Sequence, residues 1–127
     1  MRVILDSGGV SWLAQRSPRT VAVVRELRTA GLWPAVVPAP VLVECLTGQA
    51  GRDAQANRLL KSCDVLTEIP QALARRCARL RCAARRGSAV DAIVIGVAEP
   101  AGVVFTSDSG DLAPLAQEAT GVTIRAI

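Results

Sequence analysis

The sequence predicts an α/β fold in which helices are layered on a mostly parallel central sheet. Short apolar runs alternate with longer helical stretches, and parallel neighbours in a sheet need the crossovers that such helices supply. Val103-Val104-Phe105 is also an apolar run of the kind found in a strand buried on both faces. In sheets of this type the functional cleft lies beyond the carboxyl ends of the strands.

Arg2-Val3-Ile4-Leu5 reads as a strand that stops at Asp6, and Ser7-Gly8-Gly9 turns the chain into a helix carrying Val10, Trp12 and Leu13. A second helix over 18–30 starts with Pro18 in its first turn and ends at Gly31, with Val23, Val24 and Leu27 as its buried stripe. Pro34 to Val37 reads as the next strand. Pro38-Ala39-Pro40 then leads into an apolar helix from Val41 to Leu46, which contains Glu44 and which Gly48 can terminate. A helical stretch over 52–61, anchored by Leu59 and Leu60, precedes a weak strand at Asp64-Val65-Leu66.

From Pro70 to Arg86 the spacing is that of an amphipathic helix: Leu73, Cys77, Leu80 and Ala84 share one face, while Arg75, Arg79 and Arg86 lie on the opposite one. Gly87-Ser88 breaks it. Ala89 to Ala98 forms an apolar helix with a single charge, Asp91, and Pro100-Ala101-Gly102 closes that element. The strand at Val103-Val104-Phe105 delivers Thr106-Ser107-Asp108, and a turn runs through Asp111. After a helix from Leu112 to Glu118 the chain finishes in a strand, Val122 to Ile127. No repeat or linker interrupts this order, so residues 1–127 are expected to form one domain with a full hydrophobic core.

Half of the residues are apolar and a fifth are charged, which is a globular composition far from that of disorder. The longest apolar stretch, Gly31 to Val43, carries three prolines and falls short of the ~20 residues that span a bilayer. Residues Arg2 to Leu5 run into Asp6 without the form of a secretory signal, so a cytoplasmic protein is expected. Cys45, Cys63, Cys77 and Cys82 show no CxxC pair, and reduced structural thiols are expected rather than a zinc site. Cys77 and Cys82 would sit about 140° apart around one helix and face different ways. The net charge is +4, and every basic residue except Lys61 is arginine, a composition suited to bidentate contact with phosphate or carboxylate.

The chain contains no histidine. Schemes that pair serine or cysteine with an imidazole, or that use imidazoles as acid and base, are therefore excluded. What remains is a set of acids, Asp6, Glu44, Asp91 and Asp108, each ending or beginning an apolar segment. An acid beside a buried segment costs free energy unless it is paired, protonated or bound to a cation. Asp6 and Asp108 argue from their places at strand ends, and Glu44 and Asp91 from their apolar surroundings. Read one by one, Asp6 and Asp108 equally suit helix caps, and Asp91 suits a partner for a helix dipole. Read together, they suit Mg²⁺ or Mn²⁺, hard cations that prefer carboxylate oxygens and water.

Val3-Ile4-Leu5-Asp6-Ser7, Pro38 to Glu44 with its helical acid, Val90-Asp91-Ala92 opening an apolar helix, and Thr106-Ser107-Asp108 with Asp111 beyond it occur in an order that resembles PIN-domain ribonucleases. The resemblance is closest to the VapC-type toxins of prokaryotic toxin–antitoxin modules and spans nearly the whole chain. It implies a three-layer α/β/α PIN-like domain in which Asp6, Glu44, Asp91 and Asp108 are both catalytic residues and metal ligands. Asp111, Thr106 and Ser7 would support them. The pattern departs from the family at Gly8, where a small polar residue is frequent, and at Leu112, where an aromatic is often found.

The resemblance further implies a Mg²⁺- or Mn²⁺-dependent endoribonuclease that hydrolyses RNA with an attacking water whose pKa the cation lowers. Its expected partners are a cognate antitoxin and a second copy in a homodimer, with no membrane. Arg75, Arg79 and Arg86 would form either a solvated helix face or a contact for RNA or antitoxin. The alternative is a PIN-like module that binds RNA or protein without catalysis, its acids only shaping the fold. A DNA structure-specific nuclease is the third reading, disfavoured by the lack of a DNA-gripping insertion.

Overall fold

The computed structural model describes all residues from Met1 to Ile127. Five short strands, β1 (Val3–Leu5), β2 (Val36–Pro38), β3 (Asp64–Leu66), β4 (Val103–Thr106) and β5 (Thr123–Ala126), pair in the order β3-β2-β1-β4-β5. Every pairing is parallel. The chain begins at the centre, builds outward through β2 and β3, then returns to the other side of β1 for β4 and β5. The direction of winding thus reverses between β1 and β4, which opens a crevice at their carboxyl ends.

Seven helices make the crossovers: α1 (Ser7–Ala14), α2 (Pro18–Thr29), α3 (Val41–Cys45), α4 (Ala54–Leu60), α5 (Gln71–Ala84), α6 (Ala89–Ala98) and α7 (Ser109–Glu118). Helix α1 packs with α2, α3 and α4, and helices α5, α6 and α7 pack with one another. Of these groups, α1 and α6 lie against the central strands β1 and β4. The core is correspondingly central: Ile4, Leu5, Val10, Val37, Val41, Ala92, Val94, Ile95, Val104 and Leu115 are fully shielded, and Phe105 is the largest buried side chain. The α/β class and the single hydrophobic core follow the periodicity of the sequence, and the sheet is wholly rather than mostly parallel.

The differences are local and have physical causes. Ser7-Gly8-Gly9, expected as a turn, lies inside α1 because Asp6 caps that helix through the Gly9 N–H. A Cβ on Gly9 would stand 2.5 Å from the Phe105 carbonyl oxygen, so the close approach of α1 to β4 requires glycine there. Helix α7 starts at Ser109 rather than Leu112, which places Asp111 in its first turn instead of a preceding loop. The strand expected over 34–37 is shifted to Val36–Pro38, and the last strand is shortened to Thr123–Ala126.

The amphipathic helix stops at Ala84, short of Arg86. Its apolar face is as expected, with Cys77 and Leu80 buried, Leu73 and Ala84 half-buried, and Arg75 and Arg79 exposed. Arg85 follows in the left-handed conformation at φ 56°, so Arg86 lies beyond the helix and does not belong to its basic face. A residue with a Cβ is disfavoured in that conformation and glycine is not. Arg85→Gly is therefore expected to stabilise the fold by about 0.5–1 kcal/mol, read as a higher urea midpoint with an unchanged slope. A lower midpoint would mean that the Arg85 side chain makes a stabilising contact of its own.

All four cysteines are free, with Cys77 buried and Cys82 exposed on the same helix, as their angular separation predicts. Burial pushes the Cys63 thiol up to about 11 and raises Cys45 and Cys77 as well. These three are protonated, weakly nucleophilic groups near neutral pH. No helix is long and apolar enough to cross a membrane.

Candidate metal centre

The register that pairs Leu5 with Phe105 sets the next residues, Asp6 and Thr106, side by side at the crevice between β1 and β4. Thr106 is fully buried, and its hydroxyl donates to Asp6 Oδ2 while accepting from the Asp108 N–H at 2.9 Å. Asp6 Oδ1 accepts from the Gly9 N–H at 2.8 Å. One hydroxyl thus links the side chain of one acid to the backbone of another. Ser7 sits half-buried as the first residue of α1.

Asp91 enters from α6, where it forms a capping box with Ser88. The Ser88 hydroxyl accepts from the Asp91 N–H at 3.0 Å, and Asp91 Oδ2 accepts from the Ser88 N–H at 3.2 Å. Asp108 occupies the cap position of α7 without a side-chain capping bond and is exposed. Glu44 is carried by α3, a helix of five residues at the surface whose neighbouring Val43 is 83% exposed. Asp111 is exposed in the first turn of α7.

Burial is distributed differently from the sequence expectation, which rested on Glu44 and Asp91. Asp6 is the buried acid, at 8% exposure; Asp91 is intermediate and Glu44 is exposed. Apolar neighbours in the sequence did not bury Glu44, because one turn of surface helix shields only the side it turns inward, that of Val41. Asp6 instead follows a central strand and lies under α1.

The four acids nevertheless share one electrostatic neighbourhood. Burial raises the Asp6 carboxyl above its ordinary value, and the charges of Asp91 and Asp108 add to the rise against the Thr106 and Gly9 hydrogen bonds. Desolvation also raises Glu44, followed by the charges of Asp91 and Asp6. As placed, however, no three acidic or cysteine side chains lie close enough together to hold a metal ion. Asp6 and Asp91 are turned to backbone N–H groups, whereas Glu44 and Asp108 are exposed. The donor chemistry of the set, all carboxylate oxygen under mutual repulsion, fits a hard divalent cation.

The sign of this repulsion is testable. Because the folded-state pKa values of Asp6 and Glu44 are raised, their contribution to stability is full below their ordinary values of 3.8 and 4.5 and is lost as pH rises through the raised ones. With chelator present, Asp6→Asn should reduce the loss of stability between pH 4 and neutrality that these groups impose, measured by urea titration at several pH values. An unaltered pH slope would show that Asp6 is not charged against its neighbours.

Two further arrangements were not legible in the sequence. Asp53 is buried, and it accepts from the Thr47 N–H and hydroxyl, both at 2.8 Å, and from the Gly48 N–H at 2.9 Å. Those bonds, the Thr47 N–H first among them, hold its carboxyl below the usual range and tie down the loop that follows α3. The sequence places Asp53 inside a helical stretch over 52–61; in the structure it stands at the cap position of α4 but makes no capping bond. Glu99 pairs with Arg76 through Nε at 2.9 Å and Nη2 at 2.8 Å, and accepts from the Thr120 N–H at 2.8 Å. That ion pair joins α5 to the turns on either side of β4 and β5, so one arginine of the basic helix has a structural task.

No protein-family model matches the chain, and no curated protein is significantly similar to it. The functional reading therefore rests on the residues themselves.

Proposed function

We propose that the protein is a Mg²⁺- or Mn²⁺-dependent endoribonuclease of the PIN-domain type, acting in the cytoplasm as the toxin of a toxin–antitoxin module. The observation that carries this reading is the link at the reversal point of an all-parallel sheet, where the Thr106 hydroxyl joins the Asp6 carboxylate to the Asp108 N–H. Without histidine, these carboxylates are the groups available there for phosphodiester chemistry.

Asp6, Glu44, Asp91 and Asp108 would hold the cation, which when bound supplies charge neutralisation on the phosphate and a lowered pKa for the attacking water. Asp6 is the fixed member, held from two sides by Gly9 and Thr106. Thr106 orients the Asp6 carboxylate and, through the Asp108 N–H, the start of α7. Asp91 would exchange its bond to the Ser88 N–H for the cation. Glu44 and Asp108, both exposed, would supply the cation's remaining carboxylate oxygens, with Asp111 in the first turn of α7 as a peripheral acid. A cognate antitoxin and a second copy of the chain are the partners that belong to this reading.

The test is incubation with tRNA or rRNA in Mg²⁺, in Mn²⁺ and in chelator, together with thermal melts under the same conditions. Cleavage that needs the cation is expected, as is stabilisation of about 2.7 kcal/mol at a cation concentration 100 times the dissociation constant. No cleavage and no thermal response to either ion would overturn the proposal. That result would favour the second reading, a non-catalytic module, which draws support from the engagement of Asp6 and Asp91 in helix caps.

A further inference from the structure

We infer that the open groove between α1, α2 and α4 grips the phosphate backbone of single-stranded RNA leading away from the acidic crevice. The choice of RNA as ligand rests on the ribonuclease reading; the groove itself does not. Its volume is about 380 Å³, its rim carries Arg16, Arg25, Arg28 and Arg58, its floor includes Leu13 and Val24, and no carboxylate lines it. The ion pair of the chain is elsewhere, between Arg76 and Glu99, so all four groove guanidiniums lack a carboxylate partner. Unpaired cations at the rim of one concavity repel one another, and a polyanion laid among them removes that repulsion.

The placement suits an RNA strand. Helix α1 starts at the Asp6 cap and reaches the groove at its other end, a distance of about 12 Å for its length. The crevice is acidic and repels a phosphate chain, so affinity for RNA has to come from a basic surface nearby. Arg16 stands there in the left-handed conformation, at φ 55°.

The chemistry at the rim favours RNA over an acidic peptide. The Arg28 guanidinium lies 5.6 Å from the centre of the Trp33 ring, and the Trp33 indole N–H donates to the Ser62 carbonyl at 2.9 Å, with Ser62 itself in the groove wall. A guanidinium kept beside an anchored aromatic ring offers a surface on which a base stacks. Arg76 and Arg79 of α5, by contrast, border a concavity that also contains the Glu99 carboxylate, and Arg76 there is already paired with it.

Binding of a short fluorescein-labelled single-stranded RNA of mixed sequence, roughly twelve nucleotides long, is measured by anisotropy in chelator over a series of salt concentrations. Arg25→Gln/Arg58→Gln, both exposed side chains, should weaken binding roughly tenfold or more and lower the salt slope by about 1.4, at about 0.7 for each phosphate no longer neutralised. Thermal melts of the same variant establish that it is folded. An unchanged slope and affinity would overturn the inference. So would a weakening seen only in Arg75→Gln/Arg79→Gln, or a groove that a glutamate-rich peptide saturates without displacing RNA. Because no cation is present, binding is read apart from turnover. A chain that holds RNA through the groove yet cleaves none with Mg²⁺ or Mn²⁺ would support the groove and overturn the ribonuclease reading alone.

Discussion

If the protein is the proposed ribonuclease, Asp6→Asn is expected to lower its cation-dependent RNA cleavage by about two orders of magnitude or more while leaving the melting temperature at neutral pH unchanged or higher. Asparagine is as good a helix cap as aspartate, so the bond from the Gly9 N–H survives, and the new amide can donate to the Thr106 hydroxyl. What disappears is a buried charge that Asp91 and Asp108 already disfavour. Asp6→Ala separates the two roles: it loses the cap as well and should cost about 0.5–2 kcal/mol. RNA cleavage assays and thermal melts on both variants give the answer. Full cleavage by Asp6→Asn would remove Asp6 from the site, and a large loss of stability would mean that its charge supports the fold instead.

Phe105→Ala is expected to carry the largest structural penalty, about 3–5 kcal/mol, a large part of the about 5–15 kcal/mol that holds a domain of this size together. Phe105 is 2% exposed on β4, next to the β1 strand, and no other phenylalanine exists in the chain to fill its place. Its ring also lies 5.1 Å from the Arg125 guanidinium of β5, an attraction that alanine cannot make. Phe105→Leu keeps most of the volume and should cost less than about 1.5 kcal/mol. Urea unfolding of both variants decides the matter; equal midpoints for alanine and wild type would show that the centre of the sheet tolerates a cavity. Because Thr106 follows directly on the same strand, Phe105→Ala should also loosen the link between Asp6 and Asp108.

The folding pattern was legible where periodicity and punctuation are local properties. The strand at Asp64–Leu66 and the helix at Ala89–Ala98 have the bounds that their flanking residues predict, since glycine, proline and serine act on the backbone beside them. Ser7-Gly8-Gly9 and Ser109-Gly110-Asp111 misled, because both have turn composition yet are helical once Asp6 and Asp108 occupy the cap positions. The burial ranking of the acids misled for a related reason. Glu44 has apolar neighbours along the chain, but its helix is a single turn at the surface, whereas Asp6 is buried at the end of a central strand and bonded to Thr106, a hundred residues away along the chain.

The sequence by itself determined the α/β class, the four acids beside apolar segments and the absence of any imidazole, because these depend on residue type and short-range order. Only the tertiary structure decided that β1 and β4 are neighbours, that Thr106 joins Asp6 to Asp108, that Asp53 organises the loop behind Glu44, and that four distant arginines border one groove. The Asp53 bonds span only five or six positions, but the β1–β4 pairing and the Thr106 link depend on strand order and crossover, which bring together residues up to a hundred positions apart and are set by packing of the whole chain.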